Sequence, residues 1–169
     1  MKLLDILKAI LPFVDEKEQL EEIIRSIEPK ETILEAAESM LGKDASPRDY
    51  APDDLGCAES VANILHAVDP SIDPLIVSTA ILFKTLDKNP NYERVLDIEP
   101  GCILVSPTGY QGRGGALSNG HTGIFLTETK IASNSSASGL WEQNYTLDSW
   151  IARYRVKGKY PLYVFKYKG

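Results

Sequence analysis

Two cysteines and two histidines carry most of the nucleophilic chemistry open to this chain, so a thiol and an imidazole can pair in only four ways. Thiol catalysis needs a cysteine, a base to take its proton and a polar group to orient that base. His66 follows Cys57 on what reads as one helix. At about 100° and 1.5 Å per residue it stands on the opposite face, roughly 13 Å along the axis, and cannot be the partner. "ILHAVDP" reads instead as a helix end, where the dipole and Asp69 favour a histidine. Cys102, in "EPGCILVSP", opens a strand without a helix dipole or polar neighbours and reads as a small hydrophobe. Cys57 and His121 remain.

Cys57 lies in "DDLGCAESVANIL", in the first turn of a helix with Asp54 or Gly56 near its cap. Free backbone N–H groups and the positive dipole end favour a thiolate there. The position fits a buried structural cysteine equally well. His121, in "SNGHTGIFLTE", follows a glycine-rich loop and opens a strand, so its ring can face a cleft while "IFL" packs below. Taken alone it reads as a structural or exposed histidine, and its weight comes from the pairing with Cys57. A hairpin turn at Glu128 and Thr129 would set Thr127 opposite Lys130, Gly123 opposite Asn134 and His121 opposite Ser136. Asn134 then shares a sheet face with His121 and can accept from its ring N–H. The alternative is a plain strand-end asparagine in "SNSSAS".

The elements that must position these groups follow from periodicity. Helical spacing predicts helices over 2–13, 16–27 and 30–41, the last ended by Gly42. The loop "GKDASPRDYAPDDLG" is a plausible boundary, giving an N-terminal helical part over 1–44 and a catalytic domain over 45–169. The cysteine helix spans about 55–68, with Val61, Ile64, Leu65 and Val68 packed, and another helix covers about 78–86. From Ile98 the period shortens: "CILVS", "TGIFLTE", "KIASNS" and "YPLYVFKY" read as antiparallel strands. Helices followed by such strands make an α+β class.

Composition narrows the function. A net charge of −6 argues against a broad nucleic-acid footprint, and the cations of "RYRVKGKYPLYVFKYKG" alternate with tyrosines and aliphatics as on an edge strand. No apolar run approaches the eighteen residues or so of a membrane span. Two cysteines make no disulfide framework and lack zinc spacing, so neither metal nor cofactor is expected. The opening "MKLLDILKAILPFVDEKEQL" is too short and too interrupted to read as a secretory signal.

The run "LGCAESVANIL", then "EPGCILVSPTG", then "GHTGIFL" resembles the cysteine helix and following strands of CHAP and NlpC-type cell-wall hydrolases. The likeness covers roughly 45–169. It implies a papain-like fold, with N-terminal helices and a central antiparallel sheet packed on the cysteine-bearing helix. It also implies cysteine-dependent amidase or endopeptidase action on the peptide stem or cross-bridge of peptidoglycan; a monomer is the expectation, and the sequence does not set the oligomeric state. By the same resemblance Cys57 is the nucleophile, His121 the base and Asn134 the third residue, with Glu142 or Asn144 of "WEQNYT" the CHAP-type alternative. Tyr50 is a candidate oxyanion donor or a loop tyrosine on the core, and Trp141 and Trp150 are candidate groove residues or core. Cys102 stands where the family usually has Asp, which removes that carboxylate.

Similarity to small phage or prophage members implies synthesis in a host cytoplasm with holin-dependent release, or carriage in a virion; an injected effector fits too. The alternatives are a non-enzymatic phage structural or wall-binding protein of the same fold, and a protein-directed protease or acyltransferase.

Overall fold

The computed structural model describes residues 32–46, 52, 55–108 and 119–169. The expected helices over 2–13 and 16–27, Tyr50 and most of the glycine-rich loop before His121 lie outside the described residues. Helix α1 (Ile33–Ser39) starts where Thr32 and Glu35 form a reciprocal capping box, which satisfies two helix-end donors. Ile33, Ala36 and Ala37 pack with Val61, Ile64 and Leu65 of α2 (Cys57–His66), so this part of the helical segment belongs to the main core. Helix α3 (Thr79–Lys88) adds Leu82 and Leu86 to it.

Strands β1 (Tyr92–Arg94), β2 (Ile103–Ser106), β3 (His121–Phe125), β4 (Lys130–Asn134), β5 (Trp141–Thr146) and β6 (Tyr163–Tyr167) form one antiparallel sheet in the order β1-β6-β2-β3-β4-β5. The α+β class is therefore observed. Side-chain alternation divides the sheet between two cores. Val105, Ile124, Ala132 and Phe165 pack with α2 on one face. Leu104, Phe125 and Ile131 pack on the other with Trp150, Tyr154 and Tyr160. That second face is closed by a short helix α4 (Leu147–Trp150), which continues as a π-helix over Ile151–Lys157.

Helix α2 is covered all round in its first turns. Ala58, Glu59, Ser60 and Ala62 are buried as well as the expected Val61, Ile64 and Leu65. A helix wrapped this way has no solvent stripe, and its N-terminus sits deep against the sheet.

The β3–β4 hairpin corrects the expected register. Ile124 pairs with Ala132 and Phe125 with Ile131, one residue off the arrangement that set Gly123 opposite Asn134. The cause is a longer turn: Leu126 N bonds Lys130 O at 2.8 Å, leaving Thr127, Glu128 and Thr129 in the loop. The Thr127 hydroxyl accepts from the N–H groups of Thr129 and Lys130 and so holds the extra residue. A slip of one residue moves every β4 side chain to the opposite face.

Gly120, just before β3, lies hard against the end of β2. A Cβ there would run into the Ser106 carbonyl oxygen and come within 2.6 Å of Thr108 N. Gly120→Ala should therefore destabilise the fold by about 2–4 kcal/mol, read as a lower urea midpoint, because backbone on both sides must move.

Candidate functional site

A cleft of about 610 Å³ opens at the end of the sheet where α2 and β3 begin, and Cys57, His121, Asn134, Asn144, Tyr145, Arg153 and Tyr154 contribute to its walls. One wall is pinned by threonines. Thr79 Oγ1 lies 2.9 Å from Thr108 Oγ1 and accepts from Thr108 N, while Gly120 N donates to Thr108 Oγ1 at 2.8 Å. These bonds tie the start of α3 to the residue before His121.

His121 sits on the second sheet face, away from α2. Its ring stacks on Trp150 and Tyr154, with centroids at 5.1 and 5.4 Å, and meets Tyr145 edge-on at 5.6 Å. Its Nε2 lies 2.9 Å from Ser133 Oγ, and Ser133 Oγ donates to Asn144 Oδ1 at 2.7 Å. Since the serine proton is committed to Asn144, the serine oxygen must accept from an Nε2–H. The chain fixes the tautomer and leaves Nδ1 with its lone pair. Burial, followed by the charge of Arg153, pushes the imidazole pKa down to about 3, so the ring is neutral.

Asn144 gains this position from a bulge. Ile131 pairs with Tyr145 and Ala132 with Gln143, so Asn144 is the unopposed extra residue of β5, aimed back at Ser133. Its Nδ2 also faces Ser133 O at 3.4 Å.

Cys57 is buried and opens α2 directly after Gly56. The helix start was expected to favour a thiolate, and the structure reverses that expectation. Burial pushes the thiol up to about 11, against a smaller opposite pull from the backbone N–H groups of Thr122, Ala58 and Cys57 itself. No hydrogen bond joins Cys57 to His121. Asn134 does not reach His121 either: the register turns it to the α2 face, where its Oδ1 accepts from Ser60 Oγ at 3.4 Å and its Nδ2 lies beside Gly56. Asn134 therefore flanks the thiol end of the cleft, and Ser133 with Asn144 takes the expected place beside the imidazole.

The remaining expectations separate cleanly. Trp141 is fully buried in the α2-side core with its indole N–H donating to Ala37 O, so it is a core residue and not a groove residue. Glu142 accepts from Ser138 Oγ at 2.8 Å and stands apart from the cleft residues. Trp150 is fully buried, donates to Ser106 Oγ and forms the floor beneath His121. His66 closes α2 with Nδ1 2.7 Å from Ile72 O, and Cys102 is buried in the second core.

Residues not anticipated are Ser133, Tyr145, Arg153 and Tyr154. Tyr145, Arg153 and Tyr154 share the stretch "YTLDSWIARY", whose aromatic spacing names a helix but not its destination, and Ser133 in "KIASNS" carries no signal of its own. Among the described residues no group of His, Cys, Asp or Glu gathers to hold a metal, and no helix is long and apolar enough to cross a membrane.

Fold and site together define an α+β protein with a cysteine at a helix mouth and a tautomer-fixed histidine in one cleft. No family model matches the chain, and no curated protein matches it in sequence.

The electrostatics make a pH prediction. An unfolded-chain histidine binds a proton near pH 6.5, whereas folded His121 does so only near pH 3. The unfolded state therefore holds more protons between those values, and the stability contributed is complete above pH 6.5 and lost as pH falls. The slope should approach about 1.4 kcal/mol per pH unit between pH 6 and 4 and flatten in His121→Gln, as measured by urea unfolding. Iodoacetamide labelling of Cys57 should likewise rise with a midpoint well above that of an ordinary thiol, and labelling that is complete at neutral pH would contradict the burial.

Proposed function

We propose that this chain hydrolyses amide bonds with the Cys57 thiol and the His121 imidazole, on a papain-like fold of the NlpC or CHAP type. The substrate class is the peptide part of bacterial peptidoglycan. The observation that carries the reading is the chain from His121 Nε2–H through Ser133 to Asn144, which leaves Nδ1 as the free basic nitrogen of a histidine that lines the same cleft as Cys57. A base held at one ring nitrogen by a polar relay with the other free is what acyl transfer requires.

The resting pair is neutral, thiol and imidazole, so proton transfer accompanies attack. Sγ adds to the carbonyl carbon as its proton passes to Nδ1 and the carbonyl π pair moves to oxygen. Backbone N–H groups at the start of α2 hold that oxyanion. Collapse of the adduct expels the amine, which takes the proton from Nδ1. Water then attacks the thioester and gives a proton to Nδ1; collapse of that adduct releases the acid and expels Sγ, which takes the proton back from Nδ1. Asn144 and Ser133 keep the imidazole in the required tautomer and so act as positioning residues. Such an enzyme suits a phage-encoded role in lysis or in the virion.

A second reading has its own observation. His121 is on the sheet face away from α2 and shares no hydrogen bond with Cys57, which favours a wall-binding module that uses the cleft without chemistry.

Purified peptidoglycan separates the two. The wild-type protein should release new amino termini, with a loss of about 10³-fold or more in Cys57→Ala and in His121→Ala, and a smaller loss in Asn144→Ala. Full release by Cys57→Ala would sink the catalytic reading. Sedimentation of an inactive wild-type protein with intact walls would establish the binding one.

A further inference from the structure

The cleft has two unlike ends. On one side, with Cys57, the rim carries two aliphatic side chains, Leu55 and Val77, each with more than a third of its surface exposed. Beside His121 stands a cation. Arg153 lines the cleft on the π-helical turn that also carries Tyr154, and its Cζ lies 5.6 Å from the centroid of the Tyr154 ring. The imidazole of His121 stacks on that same ring. Among the described residues the lining holds no carboxylate, and Arg153 forms no ion pair with any described acid.

This arrangement is unusual for the molecule that holds it. The chain carries a net charge of −6, so its general field repels anions, and an anionic ligand would need a local cation. The guanidinium donates to the Tyr154 hydroxyl, and its remaining donors form a fork that suits a carboxylate in particular. Its charge also sits where it opposes protonation of His121, an arrangement that gains when an anion arrives.

We propose that Arg153 binds a carboxylate on the amine side of the scissile bond. The preferred substrates are then amides whose leaving amine is itself an amino acid with a free carboxylate, and the acyl side lies along the apolar rim of Leu55 and Val77. This rests on the catalytic reading for its polarity: His121 delivers the proton to the leaving nitrogen, so groups beside His121 belong to the leaving fragment. A single leaving residue puts its carboxylate about 3.5 Å of chain beyond that nitrogen, the reach that a cation next to the base serves. Arg153 is a specificity residue, and the bond-making steps proceed without it.

The test uses binding, so that it stands apart from turnover. The full-length Cys57→Ala protein is titrated with acetyl-alanyl-alanine and with its carboxamide, two probes that differ only in the terminal charge. The free acid should bind about tenfold more tightly, which matches one charge-assisted contact. Adding Arg153→Gln should bring the two within about twofold, and Arg153→Lys should keep part of the preference because the charge remains but the fork is lost. Equal binding of the two probes, a preference unchanged by Arg153→Gln, or binding of neither probe would overturn the assignment. Failure of catalysis would read differently: no amine release from walls by the wild-type protein, with the Arg153-dependent preference intact.

Discussion

The turn between β3 and β4 is the constraint on which the site depends. Three residues stand between Leu126 and Lys130, held by the Thr127 hydroxyl, and this count sets which β4 side chains lie beside His121. With this register Ser133 shares the face of His121, and Asn134 turns to Ser60 and the mouth of α2. A turn one residue shorter would exchange the two and put an amide where a hydroxyl now stands. The bulge at Asn144 then completes the relay from the next strand. Two local departures from regular pairing, a longer turn and an extra residue, assemble the polar line beneath the imidazole.

Burial sets the charge state of that line. Enclosure by Trp150, Tyr154 and Tyr145 disfavours the imidazolium, and the packing of α2 disfavours the thiolate. Helix-start N–H groups do act on Cys57, but their pull is the smaller one, because a desolvated anion loses more than a few backbone donors return. The molecule thus stores both groups neutral. A neutral thiol and a neutral imidazole cost little to bury, whereas an ion pair at the same depth would need further hydrogen bonds to be held.

The second core makes the enclosure possible. The helical stretch from Leu147 to Lys157 closes the sheet face opposite α2, and its Trp150 and Tyr154 do two things at once. They pack on Leu104, Phe125 and Ile131, and they form the walls against which His121 stacks. The wider π-helical turn follows Trp150 and carries buried Tyr154 next to exposed Arg153. Irregular helical turns of this kind recur where a side chain must be placed for function.

What the sequence determined by itself was local. The helix start at Cys57, the strand start at His121, the helix end at His66 and the change from helices to strands all follow from caps, periodicity and turn residues read within a dozen positions. Elimination among four pairs rested on the same local geometry. Parity and surroundings came from long-range packing: the face on which His121 and Asn134 lie, the recruitment of Ser133 and Asn144, the burial of Trp141 and the neutral state of the thiol. The reason is that a strand alternates its faces with a period of two, so one extra turn residue inverts an assignment that no propensity records. Desolvation, in turn, depends on atoms brought from distant parts of the chain, which no short window of sequence contains.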